Sequence, residues 1–358
     1  MSRDGLKLTV YFGERERAGG ALLCDALHGL YERHAPAAAI LMRGVEGFGL
    51  RHTLHAQRLL TLSEDLPLVS VAVDERPAIE AMLPEVTALV GKGLVTLERA
   101  RLPDPGDGEG VAAAAGPEAT KLTVFCGRTE RAGRRPAYEA VVGLLRAHGL
   151  AGATVMLGLD GMLRGRRERA RFFSRNGDVP LTIVSVGDGE AVASALPALE
   201  RLLGRAPTTL ERVRVCKREG VLLAEPPSVA AEDELGLGTW QKLTVYAGEQ
   251  ARHEGHSLSS QLVRRLREEG AAGATSLRGI WGYSGDHRPH GDRLFSLRRH
   301  VPLATVIVDR PEAMRRWWRV VDELTDEAGL VTSELVPALR AVGDGYERGG
   351  LRLARRLR

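Results

Sequence analysis

Two pairs of histidines are the first candidates for chemistry. His52 and His55 lie three residues apart, and His287 and His290 repeat that spacing. Histidines so placed can share a metal ion, but a zinc site needs about four ligands. No cysteine or carboxylate pattern completes a set here, so no metal site is assigned and the histidines read as loop polarity. A basic run follows in Arg164, Arg166, Arg167, Arg169 and Arg171. It suits an acidic partner, a nucleotide or a membrane surface, and equally a solvated loop. Gly47-Phe48-Gly49 and Gly91-Lys92-Gly93 are a third kind of candidate. Glycines at a strand end let a backbone approach a phosphate, and free N–H groups there can form an anion-binding nest. Lys92 adds a charge; the alternative is that these glycines simply make tight turns. Cys24, Cys126 and Cys216 match no zinc spacing and read as buried, reduced thiols. No Ser-His-Asp set, paired-carboxylate motif or P-loop is present, so nothing positive supports an enzyme.

These residues are carried by a repeat. Lys7-Leu8-Thr9-Val10-Tyr11 recurs as Lys121-Leu122-Thr123-Val124-Phe125 and as Lys242-Leu243-Thr244-Val245-Tyr246. At a constant distance downstream each copy has a G-x-x-G beginning at Gly44, Gly158 or Gly279. A Pro-Leu opens a later apolar run at Pro67, Pro180 and Pro302, and a closing segment aligns Thr96 and Glu98 with Thr209 and Glu211 and with Thr332 and Glu334. Internal similarity of this kind marks tandem units. The units span residues 6–102, 120–215 and 241–337. Residues 103–119 and 216–240 read as flexible linkers from their Pro, Gly and acidic content, and 338–358 as a basic, frayed tail.

Within a unit, Leu8, Val10 and Phe12 alternate with Lys7, Thr9 and Tyr11, which is strand periodicity. Leu23, Leu27, Leu30 and Tyr31 then fall at helical spacing. Two further apolar runs, a helix started by Asp74-Glu75-Arg76-Pro77 or Asp309-Arg310-Pro311, and a last strand complete the order β-α-β-β-α-β. Pro84 and Pro197 predict a kink or a late start in that second helix. Trp317-Trp318 falls on it and reads as core or interface. The third strand, 68–73 or 303–308, is apolar or small on both faces. With both helices on one face of the sheet, the other face must be covered, and the other copies can cover it. The expected fold is α+β: three tandem ferredoxin-like domains closing as a pseudo-trimer within one chain.

Here the sequence resembles the DUF190 family of PII-like signalling proteins. The segments that carry the resemblance are Gly152-Ala153-Thr154-Val155, Gly273-Ala274-Thr275, Gly47-Phe48-Gly49 and Gly91-Lys92-Gly93-Leu94-Val95. It extends over all three repeats. It implies ferredoxin-like domains in a threefold ring, with nucleotides or other small effectors between neighbours and a long loop that engages a target. The resemblance places ligand contacts at Gly47, Phe48, Gly49, Gly91, Lys92 and Gly93, facing Gly152 and Thr154 or Gly273 and Thr275 of a neighbouring copy. Copy two has Gly204-Arg205-Ala206-Pro207 in place of the Lys92 loop and copy three has Glu327-Ala328-Gly329-Leu330, so the clefts are not expected to bind alike. The expectation is a non-enzymatic regulator sensing a small anionic effector or nucleotide. The alternatives are a ligand-free adaptor on a membrane ion transporter, as relatives are linked with fluoride exporters, or a metal-binding protein. The cofactor stays unknown. A net charge of +4 does not argue for nucleic acid. No stretch is apolar enough for a membrane span and residues 1–6 lack a signal-peptide run, which makes a cytoplasmic, monomeric chain the expectation.

Overall fold

The computed structural model describes residues 2–49, 55–56, 65–104, 116–169, 179–284, 290–291, 301–327 and 329–355. Repeat 1 runs β1 (Arg3–Gly13), α1 (Leu23–His34), β2 (Ala38–Phe48), β3 (Pro67–Glu75), α2 (Arg76–Leu89) and β4 (Gly93–Leu102). Its strands lie in the antiparallel order β2-β3-β1-β4. Repeat 2 has β5 (Glu118–Gly127), α3 (Ala137–Ala147), a second strand broken into β6 (Gly152–Leu157) and β7 (Asp160–Leu163), β8 (Arg166–Arg169), β9 (Pro180–Gly187), α4 (Gly189–Leu203), β10 (Thr208–Arg218) and β11 (Val221–Leu222). Repeat 3 has β12 (Trp240–Gly248), α5 (Leu258–Glu268), β13 (Ala274–Ser284), β14 (Pro302–Asp309), α6 (Pro311–Leu324) and β15 (Leu330–Val336), followed by β16 (Ala338–Gly343) and β17 (Tyr346–Gly350). A two-stranded hairpin precedes the first helix in each repeat, an insertion that periodicity did not reveal.

Alternation in β1 sends Leu6, Leu8, Val10 and Phe12 into a core with Leu27, Leu30, Ile79 and Met82 from α1 and α2. The opposite face is buried too. Ile40, Met42, Val69 and Val73 of repeat 1 pack with Phe125 and Met156 of repeat 2 and Leu277 of repeat 3. The sheets themselves join: β2 pairs with β13, β13 with β6, and β7 with β2, while the last strands meet as β4–β10, β10–β15 and β16–β4. The outcome is one closed sheet system of 19 strands, with the helices outside.

Several local expectations need correction. Pro84 and Pro197 do not bring a late start, since the helices that hold them begin at Arg76 and Gly189. Asp74 and Asp309 do not cap. The N-cap positions fall on Glu75 and Arg310 without side-chain caps, and Asp309 instead accepts a hydrogen bond from Trp317 Nε1 at 2.8 Å. Asp188 of repeat 2 does cap, accepting from the Ala191 N–H at 2.7 Å. The second linker is ordered: the Asp233 carboxylate accepts N–H groups of Leu235, Leu237 and Arg355 at 2.9, 2.8 and 2.7 Å. Residues 338–350 of the basic tail fold as the β16–β17 hairpin rather than fraying, because β4 offers an unpaired edge, while 356–358 lie outside the described residues. Residues 105–115 of the first linker lie outside the described residues.

Candidate functional site: an axial charge ring and three unequal junctions

The repeated lysine and glutamate are cross-strand partners. Lys7 stands opposite Glu98, Lys121 opposite Glu211, and Lys242 opposite Glu334. All six lie on the inner face, where the three sheets meet. Each ammonium reaches the glutamate of its own repeat at 2.9 Å. It also reaches the glutamate of a second repeat: Lys7 to Glu211, Lys121 to Glu334, Lys242 to Glu98. The contacts close a circle of alternating charge in which no side chain is more than 11% exposed. Burial alone would push the carboxyls of Glu98 and Glu334 up; the surrounding lysines overcome it and hold both below the usual carboxylate range. Burial would likewise lower Lys7 and Lys242, and the glutamates raise both above the ordinary lysine value, whereas at Lys121 burial outweighs Glu211 and Glu334 and holds it below that value. Carboxylate oxygens of Glu98, Glu211 and Glu334 lie within 4.8 Å of one another, close enough for a metal ion. The three ammonium groups already supply the positive charge that such an ion would bring. The ring therefore ties each repeat to both of the others by matched buried charges. Sequence reading aligned these six residues as repeat markers and missed their meeting. The available signal was a charge of each sign kept in all three copies on otherwise apolar strands.

The G-x-x-G marks the junctions between repeats. A Cβ on Gly47 would sit 2.7 Å from Ala274 O, one on Gly161 2.3 Å from Ala39 O, and one on Gly282 2.2 Å from Ala153 O. At each crossing the strand of a neighbouring repeat presses on the glycine backbone, and Pro67, Pro180 or Pro302 closes the other side. Close approach accounts for these glycines. The structure brings Gly47 opposite Thr275 and Phe48 opposite Ala274, next to Gly273. Gly152 and Thr154 belong to a different crossing, opposite Ser284 and Gly282. Gly49 follows the end of β2, with open space at its Cβ position. Gly91-Lys92-Gly93 precedes β4, where Gly93 has φ of +136° and passes 2.5 Å, by its Cβ position, from Tyr11 O. Lys92 is already engaged with Glu16 at 2.9 Å, and the β16 strand pairs along this edge, with Val342 opposite Gly93. The edge expected to line the best cleft is thus taken by the chain's own C-terminal hairpin.

The three junctions differ for a legible reason. After its last strand, each repeat continues toward the next. The continuation of repeat 3, β16, covers β4, and the end of β10 covers β15. Among the described residues, repeat 1 pairs with β10 only through Arg101 and Leu210, and the next residues are Leu102 and Pro103. Proline has no N–H to extend a ladder. Between repeats 1 and 2 there is instead a cavity of 610 Å³, lined by Arg3, Asp74 and Asp104 on one side and by Arg164, Glu200 and Gly204–Thr208 on the other. A second cavity of 460 Å³ adjoins it through Arg164 and Pro207 and is lined by Phe125, Thr129, Glu130, Gly161 and Arg166.

The basic run of repeat 2 belongs to this place. Arg164 (φ +50°) and Gly165 (φ +76°) form the tight turn between β7 and β8. Arg167 is spent on structure, reaching both Asp160 oxygens at 3.0 and 2.6 Å and Glu32 of repeat 1 at 3.1 Å. Arg164 and Arg166 face the cavity, and Arg166 has no ion-pair partner among the described residues. Side chains of Arg169, His55 and His290, and all of Arg171, His52 and His287, lie outside the described residues.

A chain of three α/β repeats locked around a buried charge ring, with one junction that no strand continuation covers among the described residues, is the class of protein that this geometry defines. The chain belongs to the DUF190 family, described as "Uncharacterized ACR", whose model matches residues 5–102, 119–215 and 240–338. A relative is the UPF0166 protein of Aquifex aeolicus (strain VF5), 31% identical over 98 residues, which are 27% of this chain and 90% of that protein. The single-repeat length of this relative matches the repeat reading. No helix among the described residues is long and apolar enough to cross a membrane.

Proposed function

We propose that the chain is a non-enzymatic, cytoplasmic regulator of the PII-like kind. In this reading three ferredoxin-like domains form a pseudo-trimer in one monomeric chain, and a small anionic effector, such as an adenine nucleotide, binds beside the junction of repeats 1 and 2. The observation that carries the reading is the 460 Å³ cavity with Arg164 and Arg166 at its mouth, at the one junction where no strand continuation covers the edge among the described residues. The Gly91-Lys92-Gly93 loop is the weaker candidate, since its charge is paired and its edge covered. Binding would act by shifting the β7–β8 hairpin that carries Arg164 and Arg166. Thermal-shift screening of adenine nucleotides, cyclic nucleotides, bicarbonate and simple anions tests this. A ligand at a hundred times its Kd stabilises by about 2.7 kcal/mol. The expected hit binds one per chain and loses its effect in Arg166→Glu. No shift with any of these at millimolar concentration, or three equivalent sites per chain, would overturn the proposal. The adaptor reading on a membrane ion transporter is favoured instead by the two junctions that the chain fills itself, and it gains if the screen is silent.

A further inference from the structure

The net charge of +4 hides an imbalance between repeats. Residues 120–215 hold 16 lysines and arginines against 9 aspartates and glutamates, whereas 6–102 hold 11 against 12 and 241–337 hold 14 against 13. Much of the surplus sits on the two-stranded hairpin that precedes α3, where Arg131 pairs with Pro136 and Ala132 with Arg135. Arg128, Arg131, Arg134 and Arg135, on and beside this hairpin, are exposed, and none has an ion-pair partner among the described residues. Repeats 1 and 3 place Glu14 and Glu249 at the position of Arg128, and Gly20 and Gly255 at that of Arg134.

Two features adjoin the hairpin. Thr129 and Glu130, which lead into it, line the 460 Å³ cavity together with Arg164 and Arg166 of the β7–β8 turn, so a second basic rim faces the first. Tyr138 at the start of α3 meets Trp281 of repeat 3 edge to face, with ring centroids 6.4 Å apart. Both rings are half-buried and keep part of their surface in solvent. Burial and Glu139 raise the Tyr138 hydroxyl, and the nearby charges of Arg128 and Arg131 oppose them. The aromatic pair and the basic hairpin thus form one continuous surface.

We propose that this surface of repeat 2 binds single-stranded nucleic acid without sequence preference. Phosphates follow Arg128, Arg131, Arg134 and Arg135 and reach Arg166, while bases stack on Trp281 and Tyr138. Such binding takes a basic track for the backbone and aromatic rings for the bases, since every base has a π-face. An acidic protein segment would use the arginines and leave the rings without a role. A duplex keeps the faces of its bases stacked inside. The proposal does not rest on the effector reading: the four hairpin arginines lie outside the cavity lining, so a silent screen of small anions leaves it standing.

End-labelled oligothymidylate of about 12 nucleotides is the probe, added to the full chain. Fluorescence anisotropy should show binding with a Kd of about 10⁻⁵ M, and log K should fall against log salt with a slope of about −3.5, or −0.7 for each of five phosphates. Tryptophan emission should be quenched; Trp240, Trp317 and Trp318 are buried, so the signal belongs to Trp281. Arg134→Glu with Arg135→Glu should weaken binding at least about tenfold and flatten the slope to about −2. Arg17→Glu with Arg252→Glu makes the same charge change on the matching hairpins of repeats 1 and 3 and should cost less than about threefold. Polyglutamate of equal charge should bind more weakly and leave the emission unchanged. Should the hairpin variant fail to fold, the salt slope, the quenching and the polyglutamate comparison on the native chain still decide. No anisotropy change at about 10⁻⁴ M chain, binding without quenching, equal losses in the two double variants, or polyglutamate or a duplex of the same length binding as tightly would overturn the proposal.

Discussion

Removing one lysine from the axial ring should cost far more than removing a surface cation. Lys121→Met leaves Glu211 and Glu334 with one ammonium each, Lys7 and Lys242, and gives the buried cluster a net negative charge. At 2.9 Å and an effective dielectric near 20, the Lys121–Glu211 attraction is about 6 kcal/mol. The lysine recovers several kcal/mol of desolvation by leaving, so the net loss should be about 3–5 kcal/mol. Urea unfolding followed by circular dichroism measures it, with Arg33→Met as control. The Arg33–Glu85 pair is about half exposed, so solvent screens it and its loss should move the midpoint little. Lys121→Met with Glu334→Met restores neutrality, and each remaining ring charge keeps an opposite neighbour. Its cost should fall well below the sum of the two single changes. A Lys121→Met loss no larger than the control, or an additive double variant, would refute the view of the ring as one coupled unit.

The ring also predicts the pH profile. Glu98 and Glu334 are held low, so their contribution is present above the unfolded carboxylate range, near pH 4, and is lost as pH falls below it. Lys7 is held high, so its contribution is intact below about pH 10 and is lost only at more alkaline values; a melting temperature that falls between pH 6 and 9 would count against this. Gly161→Ala should destabilise by about 1–3 kcal/mol, because its Cβ meets main-chain Ala39 O at 2.3 Å, whereas Gly143→Ala in α3, with nothing within 4 Å, should stabilise by up to about 1 kcal/mol in the same urea titration. Deleting residues 338–358 should uncover Trp240, which packs with Leu339 and Ala341 and lies under Arg348 at 4.9 Å. The emission spectrum should shift to the red, and an unchanged spectrum would argue against the hairpin as cover. Native-state thiol titration should find Cys24, Cys126 and Cys216 slow, with Cys216 pushed up to about 12 by burial, and rapid labelling would contradict that.

Sequence alone determined the unit and its number. Period-two and helical patterns are local, and three copies of Lys7-Leu8-Thr9-Val10, Pro67-Leu68 and Thr96-x-Glu98 exposed the repeat without any contact being known. The two-faced apolar third strand also required a cover, and Val69 and Val73 do pack against residues of repeats 2 and 3. Tertiary structure decided what the repeated residues do. Lys7 meets Glu211 across 204 positions of chain, and such a pairing leaves no trace in local spacing. The glycines of the G-x-x-G looked like ligand loops because close backbone approach has one sequence signature, whether the neighbour is a phosphate or another strand. Only the fold showed that strand to be there, at Ala274, Ala39 and Ala153. The tail and second linker read as loose because their order comes from distant edges and carbonyls, β4 for β16 and the Asp233 carboxylate for Arg355.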